Sequence, residues 1–134
     1  MAVGAEGALD TARRFAAAIN GHDVFAIAEL MSEDHVFIDS LGNAMNGRAA
    51  MRAGWRGYFA TFPDYRIDVR GIAADGDTVL LHGCAEGTLA GAADGHWTIP
   101  AAWRAVVADG KIRLWQVYAD NKPVYDLLSR AERD

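Results

Sequence analysis

The order of residues predicts an α+β domain, with helices from the first half of the chain packed on one face of a curled antiparallel sheet. Three observations carry this expectation. Apolar residues recur at helical spacing as far as Phe62, the period changes to two from Tyr65 onward, and three Asp-Gly pairs punctuate the second half. Helices first and a long meander afterward is the pattern of helices gathered on one side of a sheet.

The first helix is read from Leu9, Ala12, Ala16 and Ile19, with Phe15 beside them, and it ends near Asn20. "NGHD" supplies a Gly stop and an Asp23 able to cap the next helix. Val24, Ile27, Ala28 and Met31 repeat the i, i+3, i+4, i+7 pattern, which makes the opening a hairpin of two short amphipathic helices. "HVFIDS" reads as a short strand and "LGNAMNG" as a turn. Met51, Trp55, Tyr58, Phe59 and Phe62 then form one broad face of a third helix, which Pro63 ends.

Beyond it, Tyr65, Ile67 and Val69 alternate with Arg66, Asp68 and Arg70, as on a half-buried strand. Asp75-Gly76, Asp94-Gly95 and Asp109-Gly110 each lie between strand-like runs and suit tight hairpins, because Gly accepts positive φ. About four strands follow one another. The small residues of "HGCAEGTLAGAADG" let such strands bend, and a strongly bent sheet facing helices leaves a conical hollow.

A chain of 134 residues fits one domain, taken as residues 1–134. With 51% hydrophobic and 23% charged residues it has the balance of a globular protein, and no apolar run approaches the ~20 residues of a membrane helix. A net charge of -5, with scattered basic residues, argues against a nucleic-acid partner. The start "MAVGAEGALD" has neither a basic opening nor an apolar signal core, so the expected location is cytoplasmic. Cys84 is the single cysteine, which excludes an internal disulfide.

Three stretches together are similar to the nuclear transport factor 2-like superfamily, and within it to the SnoaL-like polyketide cyclases. They are "ARRFAAAINGHDVFAIAELMSEDHVFID", "GYFATFPDYRIDV" and "LWQVYADNKPVYDLL". The likeness runs over roughly residues 9 to 128. It implies a cone-shaped curved antiparallel sheet against three helices of the N-terminal half, the cystatin-like roll. It also implies a small hydrophobic ligand, a homodimer, no cofactor, and proton-transfer chemistry such as aldol closure of a carbonyl compound. The scaffold hosts several reactions and plain binding domains alike, so a noncatalytic binding or dimerisation role stays open.

In that family an acid on the last strand is the general acid/base, and the resemblance carries the role onto Asp120. Leu114, Gln116, Tyr118 and Asp120 share one strand face by the period of two. If that face lines the hollow, a partly apolar setting disfavours the ionised carboxylate and readies it to take and return a proton. The competing reading makes "DNKP" an ordinary turn ahead of a short C-terminal helix, with Asp120 bonding backbone amides.

Asp39 matches the proton-abstracting acid of ketosteroid isomerases, but it is also placed to cap a turn before Ser40 and Gly42. Isomerases of that kind stabilise the oxyanion with hydrogen-bond donors. The matching positions here are Phe15 and Ala101, which cannot donate, so isomerisation ranks behind cyclisation. "LWQVYAD" also resembles the closing strand of limonene-epoxide-hydrolase-like proteins, but their Arg-x-Asp pair is missing from "VLLHGCAEGTL".

His82, Cys84 and Glu86 alternate on one strand face, yet no second histidine pair completes a metal site, and none is expected. His82 is read as an assisting group in the pocket, with a structural histidine as the alternative. His35 is given a surface or interface role, His22 the inter-helix turn and His96 a hairpin end. Trp97, Ala101 and Trp103 share the face assigned to the hollow, where the rings could sandwich a flat ligand. Phe15, Trp55, Tyr58, Trp97, Trp103, Gln116 and Tyr118 complete the candidate substrate-binding set. Trp115, on the opposite phase from Asp120, is assigned to a sheet-to-sheet dimer contact. No Gly-rich phosphate loop or nucleophile elbow is present.

Overall fold

The computed structural model describes residues 5–133. Helix α1 (Ala5–Asn20) and helix α2 (Val24–Leu30) form the opening hairpin, followed by β1 (Met31–Ile38) and β2 (Ala44–Asn46). Helix α3 (Arg48–Thr61) leads into the meander β3 (Arg66–Asp75), β4 (Thr78–Thr88), β5 (His96–Ala108) and β6 (Lys111–Ala119). A fourth helix, α4 (Lys122–Arg133), closes the chain.

The strands make one curved, open sheet in the order β2-β1-β6-β5-β4-β3, with the helices on its concave side. The sheet is mixed rather than wholly antiparallel, because β1 runs parallel to β6. That pairing is possible because the whole meander lies between them in sequence and acts as the long crossover that parallel neighbours need. Two further differences are local. Met31 belongs to β1 rather than to the second helix, and the turn-like "LGNAMNG" contains the short strand β2. Asp23 caps α2 as its sequence suggests, with Oδ1 accepting from Ala26 N at 3.0 Å.

Two of the Asp-Gly pairs are hairpins. Asp109 and Gly110 both have positive φ, 53° and 73°, between the paired Ala108 and Lys111, as a type I′ turn requires. Gly76, at φ 61°, opens the two-residue loop between Asp75 and Thr78. Asp94-Gly95 is different: it ends a longer loop between β4 and β5, where Gly91 supplies the positive φ.

Cross-links between helices and sheet fix the floor of the cone. Asn20, at the end of α1, satisfies both backbone groups of Ile67 on the edge strand β3, donating to its O at 2.9 Å and accepting from its N at 2.8 Å. His22 Nε2–H donates to Tyr65 O at 2.6 Å, and its ring stacks on Phe59 at 4.1 Å. After Pro63, Asp64 accepts from Thr88 N at 2.6 Å and Thr88 Oγ1 at 2.7 Å. These bonds hold its carboxyl below the ordinary 3.8 and tie the α3–β3 turn to the end of β4.

The faces of the strands decide everything that follows. On β5, Trp97, Ile99, Ala101, Trp103, Ala105 and Val107 are buried, which agrees with their expected phase. On β6 the phase is the reverse of the expected one. Val107 pairs with Ile112, but Val106 pairs with Leu114, so Arg113 is an extra residue in the ladder. Such a bulge shifts register by one and sends each later side chain to the other face. Trp103 therefore lies opposite Val117, and Ala101 opposite Ala119. Trp115 points inward, 1% exposed, and is not on the outer face assigned to a dimer contact.

Candidate functional site

The concave face of the sheet, α3, the end of α1 and α4 enclose a cavity of about 280 Å³. Its wall is mostly rings and aliphatic side chains. Trp97, Ile99, Ala101 and Trp103 come from β5, Trp115, Val117 and Ala119 from β6, and Tyr65, Ile67 and Ala85 close the far side. Helix α3 contributes Met51, Trp55 and Tyr58 because its i, i+4, i+7 face is turned to the sheet. Helix α4 covers another part of the wall with Val124, Tyr125 and Leu128. Asp39, Ser40 and Asn121 supply polar groups, and Asn121 Nδ2 ties the two loops together by donating to Ser40 Oγ at 2.7 Å.

The rings brace one another. Tyr58 and Tyr65 meet edge to face at 4.8 Å, Tyr58 lies 5.0 Å from Phe62, and Phe62 meets Trp97 at 5.3 Å. Trp103 stacks beside Trp115 at 6.4 Å. The Nε1–H groups of Trp55 and Trp97 are buried without a partner among the described residues. Burial raises the pKa of both Tyr58 and Tyr65 above the ordinary 10, with nearby phenols adding to it, so both stay neutral O–H donors.

The expected site residues separate into two groups. Trp55, Tyr58, Trp97, Trp103 and Asp39 line the cavity together. Asp120, His82, Gln116, Tyr118 and Phe15 do not. Asp120 is exposed, and its Oδ1 accepts from Lys122 N at 3.0 Å, the Asx turn that introduces α4. Its expected inward aim is corrected by the Arg113 bulge, which also turns Gln116 out to Arg104 at 3.0 Å and leaves Tyr118 46% exposed. His82 is on the outer face of β4, over Gly71, where the ring nitrogen lies in the space a Cβ would take. Phe15 is in the core behind the wall, 4.9 Å from Trp115.

Asp39 is in the wall but already engaged. Oδ1 accepts from Leu41 N and Asn43 N, each at 2.9 Å, and Oδ2 accepts from Asn43 Nδ2 at 3.3 Å, which is the turn-capping geometry. His35 shares the inward face with Phe37 and Asp39, yet it is fully buried rather than a surface group. Its Nδ1–H donates to Ile112 O at 2.7 Å and its Nε2 has no partner among the described residues. Burial holds its pKa below 6.5, against the opposing pull of the Ile112 carbonyl and Asp34. Among the described residues no cluster of His, Cys, Asp and Glu could hold a metal ion, and no helix is long and apolar enough to cross a membrane.

The sequence reading missed Tyr65, Val117, Ala119 and the α4 residues. Tyr65 carried a signal, since it is in phase with Ile67, and Val124, Leu127 and Leu128 are spaced for a buried helix face. Val117 and Ala119 carried none, because their inward aim depends on the bulge.

A family model for the SnoaL-like domain matches residues 12–115. The chain belongs to the SnoaL-like domain family. No curated protein matches its sequence. Among solved structures, a Mycobacterium tuberculosis epoxide hydrolase of the limonene-epoxide-hydrolase-like type superposes with TM-score 0.80 at 19% identity, covering 94% of this chain and 92% of that one. A protein from Jannaschia sp. CCS1, provisionally named a SnoaL-like polyketide cyclase, gives 0.81 at 20% identity, covering 93% of each chain. A ketosteroid isomerase-like protein from Catenulispora acidiphila, solved with trimethylamine, gives 0.74 at 22% identity, with 81% and 84% covered. At these identities the likeness establishes the fold of this SnoaL-like domain, the nuclear transport factor 2-like α+β roll. The diverse names of its neighbours assign it no single reaction.

Proposed function

We propose that this SnoaL-like domain holds a flat, neutral, largely apolar small molecule in the cavity on the concave face of its sheet. The observation that carries the reading is the wall itself. Rings from α3, β5 and β6, with Tyr65 just before β3, surround about 280 Å³ with polar groups at only a few places, the composition of a ligand pocket. No Lys or Arg is among the lining residues, so a charged anionic ligand would find no counter-charge. Tryptophan emission during titration with fluorene, a flat hydrocarbon, tests this: Trp55, Trp97, Trp103 and Trp115 all border the site, and saturable quenching is expected. An unaltered spectrum at the solubility limit would reject the reading.

A second reading adds chemistry, and one observation favours it. Asp39 is a carboxylate in the cavity wall, where it could remove a proton beside a bound carbonyl. Against it, the carboxylate already accepts three hydrogen bonds from its own hairpin, which fix it as a turn cap. Deuterium exchange at the α-carbon of a bound ketone, followed by NMR for wild type and Asp39→Asn, separates binding from catalysis. Exchange that vanishes in the variant supports the second reading. No exchange by wild type leaves binding alone.

A further inference from the structure

We infer that the Tyr58 and Tyr65 hydroxyls are the polar anchor of this cavity, and that its ligand presents to them an acceptor oxygen, a carbonyl or ether, set in flat apolar surface. The inference rests on the ligand-holding reading above and names the chemistry that the site would select.

Both tyrosines line the cavity from different elements, Tyr58 from α3 and Tyr65 from the start of the β3 segment, and their rings meet at 4.8 Å and 87°. Neither hydroxyl has a hydrogen-bond partner among the described residues. Their positions are nevertheless tightly set. Tyr65 packs 6.0 Å from Trp97, and the backbone around it is held by His22 on its own carbonyl and by Asn20 on Ile67. Tyr58 is held between Phe62 and Trp55. A phenylalanine would make the same ring contacts, so each hydroxyl adds a polar group that finds no partner in the protein, although neither is closed off as fully as the Trp55 and Trp97 N–H groups are. Whatever fills the cavity, water or a ligand, supplies the partner.

The wall also decides which kind of partner fits. Indole Nε1–H groups of Trp55 and Trp97 are donors only, and they too are unpaired. The two phenols remain protonated, so they offer O–H without charge. Asp39, the acidic acceptor of the lining, has its oxygens occupied by Leu41 and Asn43. Around the aromatic part of the wall the unpaired groups are thus two indole N–H and two phenol O–H donors, and an acceptor complements them. A carbonyl oxygen, with two lone pairs in the plane of a conjugated system, can take two donors while its carbon frame lies among rings.

The test uses a matched pair, 9-fluorenone and fluorene, which differ at one carbon by a carbonyl oxygen. Wild type is expected to bind the ketone more tightly, by about two- to tenfold for each hydroxyl engaged. Tyr58→Phe and Tyr65→Phe each lower that preference and the double variant removes it, while fluorene affinity stays within about twofold because the ring contacts persist. The bound ketone's C=O stretch should move to lower wavenumber in wild type and return in the double variant. Thermal melts of the variants confirm that the fold is intact. Equal affinity of wild type for both compounds, or a preference surviving in the double variant, would overturn the assignment while leaving the cavity reading in place. Failure of both compounds to bind would overturn the cavity reading and the assignment with it.

Discussion

The two faces of this sheet are made by the same strands and differ in nearly every property. On the concave side, Trp97, Ile99, Ala101 and Trp103 alternate along β5 with Thr98, Pro100, Ala102 and Arg104 on the convex side. The concave set is buried and borders the cavity. The convex set carries exposed ion pairs and half-exposed side chains such as Arg104 with Gln116 and Arg66 with Glu86. What separates a cavity residue from a surface residue is one step of phase along a strand, and on β6 that phase is set by a single extra residue, Arg113.

Inserting one alanine between Leu114 and Trp115 is the strongest way to break this contrast. Regular pairing beyond Leu114 would then turn Trp115 and Val117 outward and bring Gln116 and Tyr118 against the helices. The expected outcome is loss of the cooperative urea transition, read by tryptophan emission. Next in size, Trp103→Ala on the concave face should cost about 3–5 kcal/mol in urea unfolding. Gln116→Ala, its neighbour on the convex face, should cost no more than about 1 kcal/mol.

His35 sharpens the comparison with pH. Its folded pKa is held below the ordinary 6.5 by burial, so the folded state favours the neutral ring. The stabilisation this provides is complete above pH 6.5. It shrinks as pH falls below 6.5 toward the folded value, since the unfolded chain then binds the proton first. Urea midpoints between pH 7.5 and 5 should therefore fall more steeply for wild type than for His35→Asn. The smallest effect is expected on the convex side. Asp120→Asn keeps an oxygen able to accept from Lys122 N, so stability should change by less than about 0.5 kcal/mol and fluorene affinity by less than about twofold.

Much of the architecture was legible. The period of 3.6 placed the first three helices, the period of two placed β3 and β5, and Asp109-Gly110 marked a true type I′ hairpin. Trp97 and Trp103 were put on the correct face because β5 runs thirteen residues without interruption. The last strand was not legible in the same way. Alternation says which residues share a face, not which face is buried, and both sets on β6 contain an aromatic residue. A bulge at Arg113 has no glycine or proline to announce it, and it separates Asp120 from the cavity. His82 was misplaced for the same reason: Leu81 and Leu80 are equally apolar neighbours, and only the pairing with β5 decides that Leu81 faces in, at 2% exposure, and Leu80 out, at 56%.

The most direct test compares adjacent alanines on the two faces. Ala101 borders the cavity and Ala102 is on the convex side. Ala101→Leu adds volume to the ligand space and should weaken fluorene binding at least about tenfold, whereas Ala102→Leu should leave it within about twofold. Equal effects of the two substitutions, in variants that both unfold cooperatively, would contradict the assignment of binding to the concave face.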